Sequence, residues 1–235
     1  MALPEIVSRA DWLTARRDLL AREKELTRQR DALNADRRRL PMVRIDKEYV
    51  FEGPDGKVTL AGLFGDCRQL IVQHVMFGPG WDAGCPSCTQ HTSQLTEAFL
   101  SRLRSRDTAF ALSCRAPLDK IEAYRAGRGW VLPWYSTYGS DFNYDFGVTL
   151  EKAAGQISYN YRAEPEAADG EQSAELPGVS CFLREGGDIF HTYSAYARGL
   201  DHLEWTYAYL DLTAFGRQEA WEEPKGRAPV LQGEL

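Results

Sequence analysis

The chain predicts an α/β domain, a central mixed sheet flanked by helices, with an N-terminal helical arm and an aromatic-rich insertion. Three observations lead there. Leu70-Ile71-Val72-Gln73-His74-Val75-Met76-Phe77 is a short, mostly apolar run of the kind found in a central strand. Gly78-Pro79-Gly80 then breaks the chain, and a helical pattern takes over from Ser87 to Arg104, with Cys85-Pro86-Ser87-Cys88 at the join. Thr108-Ala109-Phe110-Ala111-Leu112-Ser113 reads as a second core strand, which makes the helix before it a crossover between parallel strands.

Bulk properties bound the rest. With 235 residues, 43% of them hydrophobic, the chain can bury one substantial core. The expected division is an arm over residues 1–41, a main domain over 42–221 with its insertion at about 130–177, and a polar tail over 222–235. A net charge of −6 and a pI near 5.4 argue against a protein built to hold nucleic acid or an anionic membrane surface. No apolar run approaches the roughly 20 residues needed to cross a bilayer. Met1-Ala2-Leu3-Pro4-Glu5 leads into a charged helix rather than an apolar signal core. Five cysteines are an odd count and a low density, unlike a disulfide-stapled secreted scaffold, so a reducing cytoplasm fits best.

The arm reads as one charged helix from Ser8 to about Arg39. Trp12, Leu19, Leu26, Leu33 and Leu40 recur every seven residues, but Ala15, Arg22, Gln29 and Asp36 make a poor second seam. One narrow stripe suits docking on its own domain or pairing with a second copy as a homodimer. Arg37-Arg38-Arg39 is read as a solvated helix end favourable to the dipole rather than a phosphate site. Pro41 ends the helix. Tyr49-Val50-Phe51, the turn Pro54-Asp55-Gly56 and Val58-Thr59-Leu60 form a hairpin feeding the strand at 70–77.

After the second core strand, Pro117 opens a helix from Leu118 to about Arg128. Residues 130–161 are crowded with aromatics, among them Trp130, Trp134, Tyr135, Phe142, Tyr144 and Phe146. Such a run is more often a packed accessory layer than a stacking platform. Residues 162–176, with Glu164, Glu166, Asp169, Glu171 and Glu175, are acidic and short of apolar groups, the composition of a mobile loop. Val179 to Leu183, the turn Glu185-Gly186-Gly187-Asp188, and Ile189 to Tyr193 form a second hairpin, followed by a helix over about 200–210.

Strand, Cys-x-x-Cys helix, strand, helix, insertion, hairpin, helix is the order of a thioredoxin-like fold. The chain also resembles the bacterial thioredoxin-like family known as domain of unknown function 899. The blocks that carry this include Tyr49-Val50-Phe51-Glu52-Gly53-Pro54-Asp55-Gly56 and Gly84-Cys85-Pro86-Ser87-Cys88. Others are Ser140-Asp141-Phe142-Asn143-Tyr144-Asp145-Phe146 and Phe190-His191-Thr192-Tyr193-Ser194. The resemblance spans about residues 8–220. It implies a dithiol–disulfide oxidoreductase, a label that rests largely on fold and the Cys pair.

On that fold Cys85 is the exposed thiol at the helix start, where unpaired N–H groups favour its thiolate, and Cys88 lies one turn in. Cys85 would attack a disulfide and Cys88 would resolve the mixed disulfide, with no organic cofactor and a thiol or disulfide substrate. The direction of exchange follows the couple's potential, which spans about −270 to −120 mV among Cys-x-x-Cys proteins. Zinc is the alternative: Cys85, Cys88 and His91 have ligand spacing, with His74 or His191 as a fourth donor. A non-catalytic binding protein on the same fold is the other.

A peroxidase motif, Pro-x-x-x-Thr-x-x-Cys, counted from Pro79 puts Ala83 at the Thr and Pro86 at the Cys, so it is not met. Trp81 and Asp82 are expected at the site rim, Asp82 as loop solvation or a proton acceptor for Cys88. Gly178 stands where a thioredoxin has its cis-proline, and Pro177 falls one position early. His191 and Tyr193 are candidates for the rim or for hydrogen bonding within the hairpin. His74 reads as a satisfied core histidine, and Cys67, Cys114 and Cys181 as inert apolar residues.

Overall fold

Ser8 caps the first helix by accepting the Asp11 N–H, and α1 then runs Arg9–Arg37, the order the charged heptad stretch implies. This computed structural model describes residues 3–151, 158–163 and 173–225. Its contacts divide into two compact units, one made of the stretch to Pro41 with the segment from Thr206, the other of Met42–Trp205. Residues 206–221, expected in the main domain, therefore group with the arm. Helix α1 buries none of its residues, and Leu19, Leu26 and Leu33 all stay exposed.

In the larger unit β1 (Val43–Arg44), β2 (Val50–Gly53) and β3 (Gly56–Thr59) precede the one-turn helix α2 (Leu60–Leu63). Then come β4 (Gln69–His74), α3 (Pro86–Ser93), α4 (Glu97–Arg104), β5 (Thr108–Cys114) and α5 (Leu118–Ala126). The insertion supplies β6 (Trp134–Ser136), α6 (Phe142–Asp145) and β7 (Thr149–Glu151). The short β8 (Ser158–Tyr159), β9 (Arg162–Ala163) and β10 (Ser173–Glu175) lead to β11 (Gly178–Glu185) and β12 (Asp188–Tyr196). A 3-10 segment, Ala197–Leu203, follows, and α7 (Trp205–Leu210) belongs from Thr206 to the other unit.

Eight strands make one sheet in the order β1-β12-β11-β4-β5-β6-β2-β3. β4, β5 and β6 are mutually parallel, while β11 runs antiparallel to both β4 and β12. The hairpin β2–β3 does not feed β4. It pairs with β6 at the sheet's far side, because Glu52 meets Ser136 there. Trp134, placed by the sequence reading in an inserted layer, is thus part of an integral strand.

Period-2 alternation divides the core by face. β4 sends Leu70 and Val72 to one side, among Phe51, Phe64, Phe142, Phe146 and Phe182. Ile71 and Val75 go to the other, with Leu112, Leu132, Trp134 and Cys88. Each fully buried Leu or Phe contributes about 1.5–3 kcal/mol. The aromatic run is mainly packing: Trp134, Phe142 and Phe146 are all buried.

Two further differences from expectation have plain causes. The crossover helix is two helices, because Thr96 accepts the Phe99 N–H and starts a new one after α3 has ended at Gln94. Glu175, placed in a mobile acidic loop, is a buried strand residue paired with Arg115. Glu164, Glu166, Asp169 and Glu171 lie outside the described residues, as does the tail beyond Lys225. No described helix is long and apolar enough to cross a membrane.

Candidate redox site

The end of β4 makes the site. Val75 continues the strand by donating to the Ser113 carbonyl at 2.8 Å, and Phe77 is buried. Gly78 to Gly80 then turn the chain, with Trp81 N–H closing on the Gly78 carbonyl at 3.1 Å. The loop returns at Cys85, whose N–H donates to the Met76 carbonyl at 2.8 Å. Cys85 is the N-cap of α3 and Pro86 its first residue, where a missing N–H costs nothing.

Cys85 is half-buried and Cys88 buried, and both are free thiols. The Cys88 thiol donates to the Cys85 sulfur, and the Ser87 and Cys88 N–H groups add to this. Together they outweigh partial burial and hold the Cys85 thiol down to about 6. The same hydrogen bond and burial push the Cys88 thiol up. The two shifts are opposed: the Cys85 thiolate is favoured, and Cys88 behind it is held protonated.

Helix α5 fixes the loop from the other side. Lys120 Nζ donates to the carbonyls of Pro79 and Trp81, each at 3.0 Å. Four residues on, the Tyr124 hydroxyl lies 2.7 Å from Thr89 Oγ1, and Thr89 donates to the Cys85 carbonyl through both its N–H (2.9 Å) and its hydroxyl (2.8 Å). Sequence reasoning missed Lys120, Tyr124 and Thr89. The signal was there: a Lys and a Tyr at i and i+4, on one face of the helix after the second core strand.

The other candidates scatter. Trp81 packs against the Cys88 cluster, and Asp82 is exposed in the loop. His91 Nδ1 is held 2.8 Å from Glu204 Oε2, with Gln94 on the other carboxylate oxygen. Among the described residues no three His, Cys, Asp or Glu side chains gather as a metal set. The zinc alternative of Cys85, Cys88 and His91 thus finds no ligand cluster.

Gly178 is buried in β11 opposite His74. His191 is not at the thiol rim. Its ring meets Phe146 edge-on, at 5.2 Å between centroids, on the sheet face away from Cys88. There His191 Nε2 lies 2.8 Å from Ser194 Oγ, Ser194 Oγ 2.9 Å from Ser180 Oγ, and Ser180 Oγ 3.0 Å from His74 Nε2. His74 is thus a satisfied core histidine, and burial lowers its pKa to about 3. Tyr193 is half-buried and stands opposite Cys181 in the ladder. Burial pushes Cys114 up to about 12 and Cys181 to about 11, which keeps both protonated.

The family model described as "Bacterial protein of unknown function (DUF899)" matches residues 1–230. Among solved structures, peroxidoxin BcpB from Mycobacterium tuberculosis matches with a TM-score of 0.50 at 11% identity, over 71% of this chain and 95% of that one. A variant of peroxiredoxin Q from Xanthomonas campestris matches with a TM-score of 0.48 at 15% identity, over 73% and 94%. No curated protein matches. The likeness is one of fold, and the fold is thioredoxin-like.

Proposed function

Since the chain belongs to the DUF899 family of bacterial proteins, a membership that assigns no reaction, we propose that it is a dithiol–disulfide oxidoreductase acting through Cys85 and Cys88. The observation that supports this best is the placement of two free thiols, Cys85 half-buried at the N-cap of α3 and Cys88 buried one turn into the same helix. The Cys85 thiolate attacks one sulfur of a substrate disulfide. That S–S bond breaks, the leaving thiolate takes a proton, and a mixed disulfide forms. Cys88, once deprotonated, attacks the Cys85 sulfur and expels the second substrate thiol. The substrate gains two electrons and two protons, and the Cys pair becomes a disulfide. Dithiothreitol, a dithiol reductant, suffices to return the pair to its starting state.

A redox titration read by alkylation and intact mass tests the proposal. A reversible loss of two alkylatable thiols, abolished in both Cys85→Ser and Cys88→Ser, is expected. Thiols that never pair across the titration would end the reading. The structure from Mycobacterium tuberculosis is a peroxidoxin by title, so hydrogen peroxide belongs beside a disulfide in the assay. With Ala83 and Pro86 at the positions noted above, the disulfide is expected to be the faster substrate.

A further inference from the structure

Arg115 follows β5 directly, and Glu175 ends β10 some sixty residues later. The two meet inside the fold: Arg115 Nη1 donates to Glu175 Oε1 at 3.1 Å, and Thr149 Oγ1 donates to Glu175 Oε2 at 2.8 Å. The Glu175 side chain is 4% exposed and that of Arg115 is 15%, with the guanidinium 4.6 Å over the Tyr144 ring. A buried ion pair is a poor source of stability, since desolvation offsets much of the attraction. Its neighbours suggest another role. A Cβ added to Gly78 would lie 3.3 Å from Glu175 Cγ and 3.1 Å from Trp81 Nε1. The Trp81 ring and the Glu175 side chain therefore both close on the open side of Gly78, the first residue of the turn that delivers Cys85, and leave no room there for a side chain.

We propose that the Arg115–Glu175 pair is the positioning element of the Cys85 site: Glu175 braces Gly78 and Trp81, and Arg115 cancels its charge so that the thiolate faces no bare carboxylate. The proposal rests on the reading of Cys85 as the reactive thiol. The other titratable groups around the loop are Cys88 on α3, Lys120 on α5, Cys114 at the end of β5 and the exposed Asp82. The atoms nearest the open side of Gly78 belong to Trp81 and Glu175.

The test is the pH profile of Cys85 alkylation by iodoacetamide in the full-length reduced protein, which yields a thiolate midpoint and a limiting rate. Glu175→Gln leaves Arg115 unpaired, so the midpoint is expected to fall by about half a pH unit. The double change Arg115→Met with Glu175→Met leaves no unpaired buried charge, and replacements of this kind usually fold. Its midpoint is expected to return to the wild-type value, while its limiting rate departs at least twofold from wild type because the brace is gone. An unmoved midpoint in Glu175→Gln, or a wild-type limiting rate in the double variant, overturns the proposal. If Glu175→Gln does not fold, the limiting rate of the double variant decides alone. A wild-type midpoint at the ordinary cysteine value would instead remove the premise that Cys85 is activated, and the dithiol reading with it.

Discussion

The Tyr124 hydroxyl is a donor to Thr89. Thr89 has one hydroxyl proton, and that proton goes to the Cys85 carbonyl at 2.8 Å. The 2.7 Å contact with Tyr124 must then run from the phenol to Thr89 Oγ1. Helix α5 thus reaches Cys85, the cap residue of α3, through a two-step chain, Tyr124 to Thr89 to Cys85. Tyr124→Phe keeps the ring against Phe77, Trp130 and Trp134 and loses this chain's first step, together with a long 3.5 Å contact to the Gly84 carbonyl. The expected cost is about 1 kcal/mol in urea unfolding. A loss near zero would mean that the hydroxyl is exchanged for solvent at no penalty.

Cys88→Ser separates the two parts played by Cys88. Without a resolving thiol, the mixed disulfide with substrate should accumulate and be seen as a mass adduct on Cys85. A serine hydroxyl cannot reproduce the geometry of the thiol that now holds Cys85 at about 6. The midpoint of Cys85 alkylation is therefore expected to move up toward the ordinary cysteine range, slowing the reaction at pH 6 to 7. An unchanged midpoint would assign the thiolate to the helix N–H groups alone.

The same group ties stability to pH. Cys85 has a folded pKa below its unfolded value, so between about 6 and the ordinary cysteine range the unfolded chain binds more protons. Stability from this source is complete above the unfolded value and is lost as pH falls through about 6. In the reduced protein, the stability advantage over Cys85→Ser should grow as pH rises from about 6 to 8. Urea midpoints at the two ends of that window measure it, and equal differences at both would refute it.

His74 gives a second pH window with the same sign. Burial lowers its folded pKa to about 3, while the unfolded imidazole titrates near 6.5. The neutral ring contributes fully above about 6.5, and its contribution is lost as pH falls toward 3. The wild-type protein should thus lose stability between pH 7 and pH 5 more steeply than His74→Asn, although the variant starts lower for want of the bond to Ser180. Parallel slopes would place the acid sensitivity elsewhere.

Gly178 tests packing rather than charge. A Cβ there would stand 2.8 Å from Val148 Cγ1 and 3.0 Å from Tyr196 Cδ1, closer than such contacts allow. Gly178→Ala is expected to cost about 1–3 kcal/mol by overpacking, with the Cys85 alkylation profile unmoved. A stabilised variant would show that β11 can shift outward freely.

What could be read from sequence was what is local. Strand β4, the Cys pair at a helix start and the 178–196 hairpin depend on neighbours within a dozen positions, and periodicity and turn residues report those. The partners of the charged and polar groups depend on distant chain. Glu175 looked like loop because its flanks are polar, and distant partners such as Arg115, just after β5, and Thr149 in β7 make it a core residue. For His191 the sequence left two places open, the rim or a hydrogen bond within the hairpin, and the bond to Ser194 is the one found. The β11–β12 ladder shifts register between Cys181 and Phe182, and the extra residue Thr192 changes which side chains share a face. The break between α3 and α4 was legible after all, since Thr96-Glu97 is an ordinary helix start without the Gly or Pro that usually advertises one.

The sheet closes at its margins on β1, two residues long, and on β3, four residues long. Strands as short as these two offer a foreign strand little template to extend.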